Sequence, residues 1–448
     1  MNRLYSKILA LSAPTIFGLI IQAMYQVLNA YFVGFLGVSE LATVNLTYPL
    51  TFVLIALGQS IGIGTAAITS RSIGRNDLAH AHAAASSGLM LGILAGGTYL
   101  GVMFWKFDLV ARIMGTVPGT EACFYRYGRL ILVAFLLVLA NTIFGFIARS
   151  QGGTLFSMVT LIIAFALNAL FDPIFIFWMD LGIRGAACAT LLAQIPAVGA
   201  YIWYFSSNKS RIRIRPTLRA VNRHVCAAIL SIGIPTFMAF VINVLAVVLV
   251  NRQAAAFGAE AVAGIGIALR LYTVSTLPVM GLANGVQSLI GACVVDTDPA
   301  KIKALLSALL KIGTGYGACA SLLFLIFSRP LAALFSTEAA VTTILSGSLA
   351  IYMGFFAMVP VQLIAMIFEQ SKGNARLAMY VSFARQGIYL IPLLLVLPGR
   401  FGINGIAASQ LLSDLTAGLS CVMILWRQVF AATDATPTGP ENSHRWDW

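Results

Sequence analysis

Charge is scarce in this sequence. Only 10 % of its 448 residues are Asp, Glu, Lys or Arg, and mean hydropathy is +0.91, against roughly 25 % charged residues in a soluble domain. That shortage excludes a water-soluble globule. Histidine is nearly missing as well: His80, His82, His224 and His444 are the whole set, none lies inside an apolar run, and no HxxxxD or HExxH string occurs. A membrane-embedded enzyme, one alternative for such a chain, has little to work with. The six cysteines are scattered without a CxxC pair, so neither a disulfide framework nor a metal site is indicated and no cofactor is implied. Acids are the rarer charge, 15 against 28 Lys and Arg, for a net +13. The cations sit in short loops between apolar runs, which signals membrane topology rather than nucleic-acid binding.

What the chain has is apolar length. Segments fall at roughly 8–33, 44–69, 85–105, 129–148, 155–179 and 186–206, then at 226–250, 263–291, 304–327, 346–368, 378–398 and 405–426. Each suits a helix crossing a bilayer, which takes about 20 apolar residues. The first run continues to about Val33 with no small-residue cleavage site, so it reads as a span and not a signal peptide. Lys209, Arg211, Arg213, Arg215, Arg219 and Arg223 crowd the gap between the sixth and seventh segments. They place that linker in the cytoplasm and, the number of preceding spans being even, the N-terminus with it. About 17 Lys and Arg then lie inside and about 9 outside. Arg149 and Glu369 fall at cytoplasmic ends and read as solvated.

The chain also repeats itself. Pro14 and Pro235 lie 221 residues apart, as do Gly37 and Gly258, Gly64 and Gly285, and Ser150–Gly152 and Ser371–Gly373. The strings GIRGAA and GINGIA, at Gly182 and Gly402, differ by 220. The expected fold is therefore all-α integral membrane, twelve transmembrane helices in two six-helix bundles related by a pseudo-two-fold along the membrane normal. The expected divisions are a first lobe at 1–207, a basic cytoplasmic linker at 208–224, a second lobe at 225–428 and a polar, disordered cytoplasmic tail at 429–448.

Inside the fifth segment stands Asp172, in a run otherwise made of Leu, Phe, Ile, Ala and Trp. An acid there is costly and faces protein or a water-filled cavity. Asn168 lies four residues earlier on the same helix face, and Pro173 frees a backbone carbonyl just after the acid. Asn29, Asp172 and Thr190 each lie within roughly 10 Å of the outer boundary at 1.5 Å per residue, with Asn168 about one turn deeper. They can converge on one cavity as an ion or proton site. In the second half, Arg385 and Asp414 lie inside spans at depths differing by about 8 Å, and a buried pair between neighbouring helices is the favoured reading.

The strings KILALSAPTIFG, YFVGFLG, SRSIGRND, RSQGG, NALFDPIFI, LGIRGAACAT and FARQGIYLIP occur in order. Together they resemble the multidrug and toxic compound extrusion (MATE) transporters over residues 4 to about 428, and the bacterial and archaeal branches that keep an acid in the fifth helix most of all. The resemblance implies an exporter of organic, often cationic, compounds in exchange for H⁺ or Na⁺, with lipid around it and a monomer as the unit. It places the chain in a bacterial cytoplasmic membrane. It implies that Asp172, Asn168 and Thr190 bind the coupling ion, that Gln22 and Tyr25 line the substrate cavity, and that the first helix bends at Pro14. Bending at Pro14 or Pro173 would carry the transport step.

Two departures stand out. Where the family has aspartate in a pattern like VDTxxVG, this chain reads LNAYFVG with Asn29. Two close carboxylates cannot both ionise cheaply; here one remains, which leaves less negative charge for Na⁺ and favours H⁺. Asn243 and the string AMVPVQLIAMIF stand where sodium-coupled relatives carry acids in the second lobe. A lipid-linked precursor flippase of the same superfamily is the other transport reading, a channel a further one. Twelve spans with a single cavity acid argue for the exporter.

Overall fold

The computed structural model describes residues 2–36, 38–114, 121–207, 209–214, 222–296, 298–335 and 339–430. Residues 431–448 of the expected tail, Arg215 and Arg219 of the linker, and Gly37 lie outside the described residues, as does the side chain of Tyr25, while residues 429 and 430 are helical. The chain is helical nearly throughout. The helices are α1 (Asn2–Gly34), α2 (Val38–Gly74), α3 (Leu78–Trp105), α4 (Phe107–Ile113), α5 (Glu121–Ser150), α6 (Thr154–Pro173) and α7 (Ile183–Ser206). They continue with α8 (Arg223–Ala255), α9 (Ala259–Gly285), α10 (Gln287–Asp296), α11 (Pro299–Phe335), α12 (Ala339–Tyr352) and α13 (Val359–Lys372). Last come α14 (Ala375–Phe383), α15 (Ile391–Phe401) and α16 (Ile403–Leu425). Eleven helical stretches among the described residues are long and apolar enough to cross a bilayer, and α12 with α13 makes a twelfth span broken by a 42° bend. The apolar run at 346–368 therefore does not form one continuous helix. Its backbone turns at 353–355, where a Cβ on Gly354 would stand 2.5 Å from Leu411 Cδ1.

In lipid every backbone N–H and C=O must be satisfied within the protein, which is why the spans are helices. With lipid tails as apolar as leucine, association rests on packing and on small residues that admit close approach. The outward faces are accordingly apolar. Leu322, Ile326 and Phe327 of α11 are exposed, as a lipid-facing surface requires. Trp105 with Lys106 at 5.1 Å from its ring, and Trp203 with Lys209 at 5.0 Å, mark span ends as interfacial aromatics do.

The chain divides into two compact units, residues 17–237 and residues 1–16 with 238–448. In the first, α2, α5 and α7 form the centre around Leu54, Phe124, Leu132, Leu139, Ile143 and Ile147. In the second, α9, α12 and α16 enclose Leu345, Leu349, Tyr352, Phe356 and Ile406. Both unit boundaries lie two residues beyond a repeat proline: after Ile16, past Pro14, and after Phe237, past Pro235. Each unit thus contains the opening half of the other repeat's first helix, an exchange that nothing in the spacing announces. Glycine makes it possible. A Cβ on Gly64 of α2 would strike the carbonyl oxygen of Ile229 on α8, and one on Gly285 of α9 would meet that of Leu11 on α1 at 2.7 Å.

The linker is docked on the first unit. Gln151 Nε2 donates to Ser210 Oγ at 2.9 Å, its Oε1 accepts from Arg211 N at 3.1 Å, and Arg213 N donates to His82 Nδ1 at 3.1 Å.

Gly64→Ala is expected to lose about 1–3 kcal/mol of stability, because backbone rather than a flexible side chain blocks the new methyl group. Gly199→Ala on α7, where the added Cβ meets nothing within 4 Å, is expected to be neutral or stabilising by about 0.5–1 kcal/mol. Melting of the two purified variants in detergent decides the matter; equal melting temperatures would overturn the account.

Candidate functional site

The helical pattern of α6 buries one face, Thr154, Ser157, Thr160, Ala164, Asn168 and Asp172, in steps of three or four. Its last two polar members, Asn168 and Asp172, are each 1 % exposed. After Pro173 the helix widens into a π-helical turn, Ile174–Trp178. Proline cannot donate the next intrahelical bond, and a widened turn is the backbone's response; such turns recur at functional sites. The opening of α7 packs on this turn. Gly182 enters at φ 53°, and a Cβ on Gly185 would stand 2.5 Å from the carbonyl oxygen of Phe175. The repeat places Gly402, at φ 61°, and Gly405, over the Leu397 carbonyl, at the matching start of α16.

Thr190 of α7 is buried, and its hydroxyl donates to the Ala186 carbonyl at 3.0 Å. One turn on, Gln194 Oε1 accepts from Asn141 Nδ2 of α5 at 2.6 Å. Tyr127 of α5 is buried within electrostatic reach of the Asp172 carboxylate. Val33, Ile131, Ile176, Ile183, Ala186 and Ala187 form an apolar cluster at this end of the unit. Asn29 and Gln22 of α1 are half-buried. α1 continues as helix through Pro14. Tyr127, Asn141 and Gln194 escaped the sequence reading, since a tyrosine or amide in an apolar run carries no periodic signal of its own.

In the second unit Arg385 and Asp414 come together. Asp414 accepts from the Tyr272 hydroxyl at 2.6 Å and from Gln410 Nε2 at 2.9 Å, and Arg385 Nη1 lies 3.8 Å from it. The guanidinium donates instead to the Tyr272 oxygen, at 2.8 Å. Arg385 belongs to a second π-helical turn, Ala384–Leu390, and its carbonyl accepts from Ser413 Oγ. Tyr272 packs edge-on against Phe356 and Tyr352, centroids 5.4 and 6.0 Å away.

Two expectations fail. Glu369 is fully buried rather than solvated, beside Asn374, Gln428 and Lys372. Arg149 likewise turns inward: Nη1 donates to Ser157 Oγ at 2.8 Å, and the guanidinium lies 4.3 Å from the centroid of Phe146. In both cases the apolar packing of the helix end outweighs the nearness of water. The GxSxG string Gly58–Gly62 lies inside α2, not on a strand-to-helix turn, with Ser60 buried against the backbone at Gly233. It holds no exposed nucleophile.

The family model described as MatE matches residues 14–174 and 235–396, two stretches that begin at Pro14 and Pro235. The multidrug export protein MepA of Staphylococcus aureus is 27 % identical over 423 residues, covering 94 % of this chain and 93 % of its own. MepA of Staphylococcus saprophyticus is 26 % identical over 427 residues, covering 95 % and 94 %. Among solved structures, a mutant of the Vibrio cholerae MATE transporter VcmN superposes with a TM-score of 0.90 at 22 % identity, over 96 % of this chain and 98 % of that one. The likeness to VcmN speaks for the fold; the matched length of the family model decides membership. The chain belongs to the MatE family of membrane transporters.

Proposed function

We propose that this protein is a secondary exporter of amphipathic or cationic organic compounds, driven by inward movement of H⁺, with both termini in the cytoplasm of a bacterial cell. The observation that carries the reading is the burial of Asp172 on one face with Asn168, next to a π-helical turn, in the first unit. That the curated relatives spanning nearly the whole chain are named multidrug export proteins supports the choice of cargo. The excess of Lys and Arg in the loops assigned to the inside supports the orientation.

An ionised carboxylate away from water attracts a cation, whether a charged substrate or H⁺. Substrate arriving from the cytoplasm pairs with Asp172. A proton arriving from outside neutralises the acid and removes the attraction, so the two compete for one group. The widened turn at Ile174–Trp178 lacks the tight bonding of the rest of α6 and takes up the backbone change. Asn168, Thr190 and Asn29 add neutral oxygens, which hold either form of the acid without adding charge. With Asn29 in place of an acid, one proton per cycle is the expected exchange at this site.

Asp172→Asn is expected to abolish dye export driven by a pH gradient in proteoliposomes, leaving it at the level of empty vesicles, while the purified variant keeps its fold. Normal export by that variant would sink the reading, and export that follows a Na⁺ gradient instead would reassign the ion. Asn29→Asp is expected to raise the protons exchanged per dye by about one over wild type, since two coupled carboxylates titrate as a pair. Simultaneous pH-indicator and dye-flux recordings measure that ratio; an unchanged value would show that position 29 stands apart from the exchange.

A further inference from the structure

Proton exchange at Asp172 leaves the buried set of the second unit without a task. Asp414 is a carboxylate with no exposed side-chain surface inside a membrane span, and such a residue is rarely kept for packing alone. Its surroundings come from several helices. α9 supplies Tyr272, the π turn supplies Arg385, and α16 itself supplies Gln410. α12 supplies Tyr352, fully buried, whose hydroxyl has no hydrogen-bond partner. Among the described residues Arg385 is the one cation and Asp414 the one carboxylate of this group.

An ion pair of arginine and aspartate frequently closes fork to fork, with two parallel N–H···O bonds. Here it does not. Arg385 Nη1 donates to the Tyr272 oxygen at 2.8 Å, the Tyr272 hydroxyl donates to Asp414 at 2.6 Å, and the guanidinium stays 3.8 Å from the carboxylate. A hydroxyl is interposed between cation and anion, and the cation sits on a widened turn whose carbonyl is tied to Ser413 of α16. As it stands the set is neutral, one positive and one negative charge.

We propose that Asp414, Tyr272, Gln410 and Arg385 form a second proton-coupling centre, in which protonation of Asp414 leaves one uncompensated positive charge that repels a cationic substrate. One proton from water adds to a carboxylate oxygen; no other bond forms or breaks, and release reverses the step. Tyr272 is the positioning residue. It keeps the guanidinium off the carboxylate, so that the acid exchanges its proton instead of being locked in a bidentate pair. The inference rests on the reading of the chain as a proton-coupled exporter of cations.

The test uses the full chain in proteoliposomes with ethidium as the cation, an imposed pH gradient, and three forms beside wild type. Tyr272→Phe keeps the ring and removes the link. It is expected to retain its melting temperature and to move the half-maximal pH of export by the equivalent of about tenfold in proton concentration. The double variant Arg385→Gln/Asp414→Asn keeps the group neutral; it is expected to fold and to bind ethidium, with export per unit pH gradient reduced about tenfold. Should both variants keep the wild-type pH profile, the group is structural and the inference is overturned. Asp172→Asn, run in parallel, separates the two readings. If it fails while the double variant exports normally, only the second centre is lost. If wild type moves no ethidium under a pH gradient, the proton-coupled reading falls and takes this inference with it.

Discussion

Hydrocarbon offers no partner for a charge, and the arrangement of this molecule follows from where it nonetheless keeps one. A carboxylate or guanidinium at membrane depth has to be turned inward and given hydrogen bonds, or the helix carrying it does not insert cheaply. Asp172 and Asp414 each lie on the enclosed face of a span, and each is close to a widened helical turn. The turns belong with the acids. A stretch of backbone whose bonding register is already loosened can change shape without breaking a full ladder of hydrogen bonds. Regular α-helix flanks both places.

The two units show how far a duplicated scaffold can diverge in chemistry while holding its backbone. Gly182 and Gly402 enter α7 and α16 with the same left-handed turn, and Gly185 and Gly405 let those helices close on a carbonyl of the preceding span. At Gly185 and Gly405 any side chain would strike backbone, and at Gly182 and Gly402 the positive φ disfavours one, so the repeat stays readable. No such constraint acts on the polar groups. The acid of the first unit stands on the helix before its glycine turn, and that of the second unit on the helix after it.

This contrast explains what could be read from the chain alone. Span positions, the 221-residue register and the family follow from apolar length and from glycines and prolines that the backbone requires. Asp172 was legible because an acid among Leu, Phe and Ile has few other reasons to be there. Tyr272 was not, because a tyrosine in a span looks like core until its hydroxyl is seen to meet a carboxylate. The burial of Glu369 and Arg149 was missed for a related reason: nearness to a helix end suggests water, whereas which way the side chain turns is settled by neighbours distant in sequence. The bend at 353–355 is marked only by Gly354 and by Pro360 in the first turn of α13, and other spans carry a proline without breaking.

The exchanged half-helices bear on how such a chain could have arisen. Residues 1–16 complete the unit that starts at 238, and residues 223–237 complete the unit built from the first repeat. A single ancestral repeat, with one copy of that helix, would have had to lend its opening half to another molecule and borrow the same piece back. That is domain swapping between two identical chains, a low-cost route to a dimer. Joining the two genes through a linker would then have changed nothing in either core. It would have made permanent a partnership in which neither copy was whole by itself.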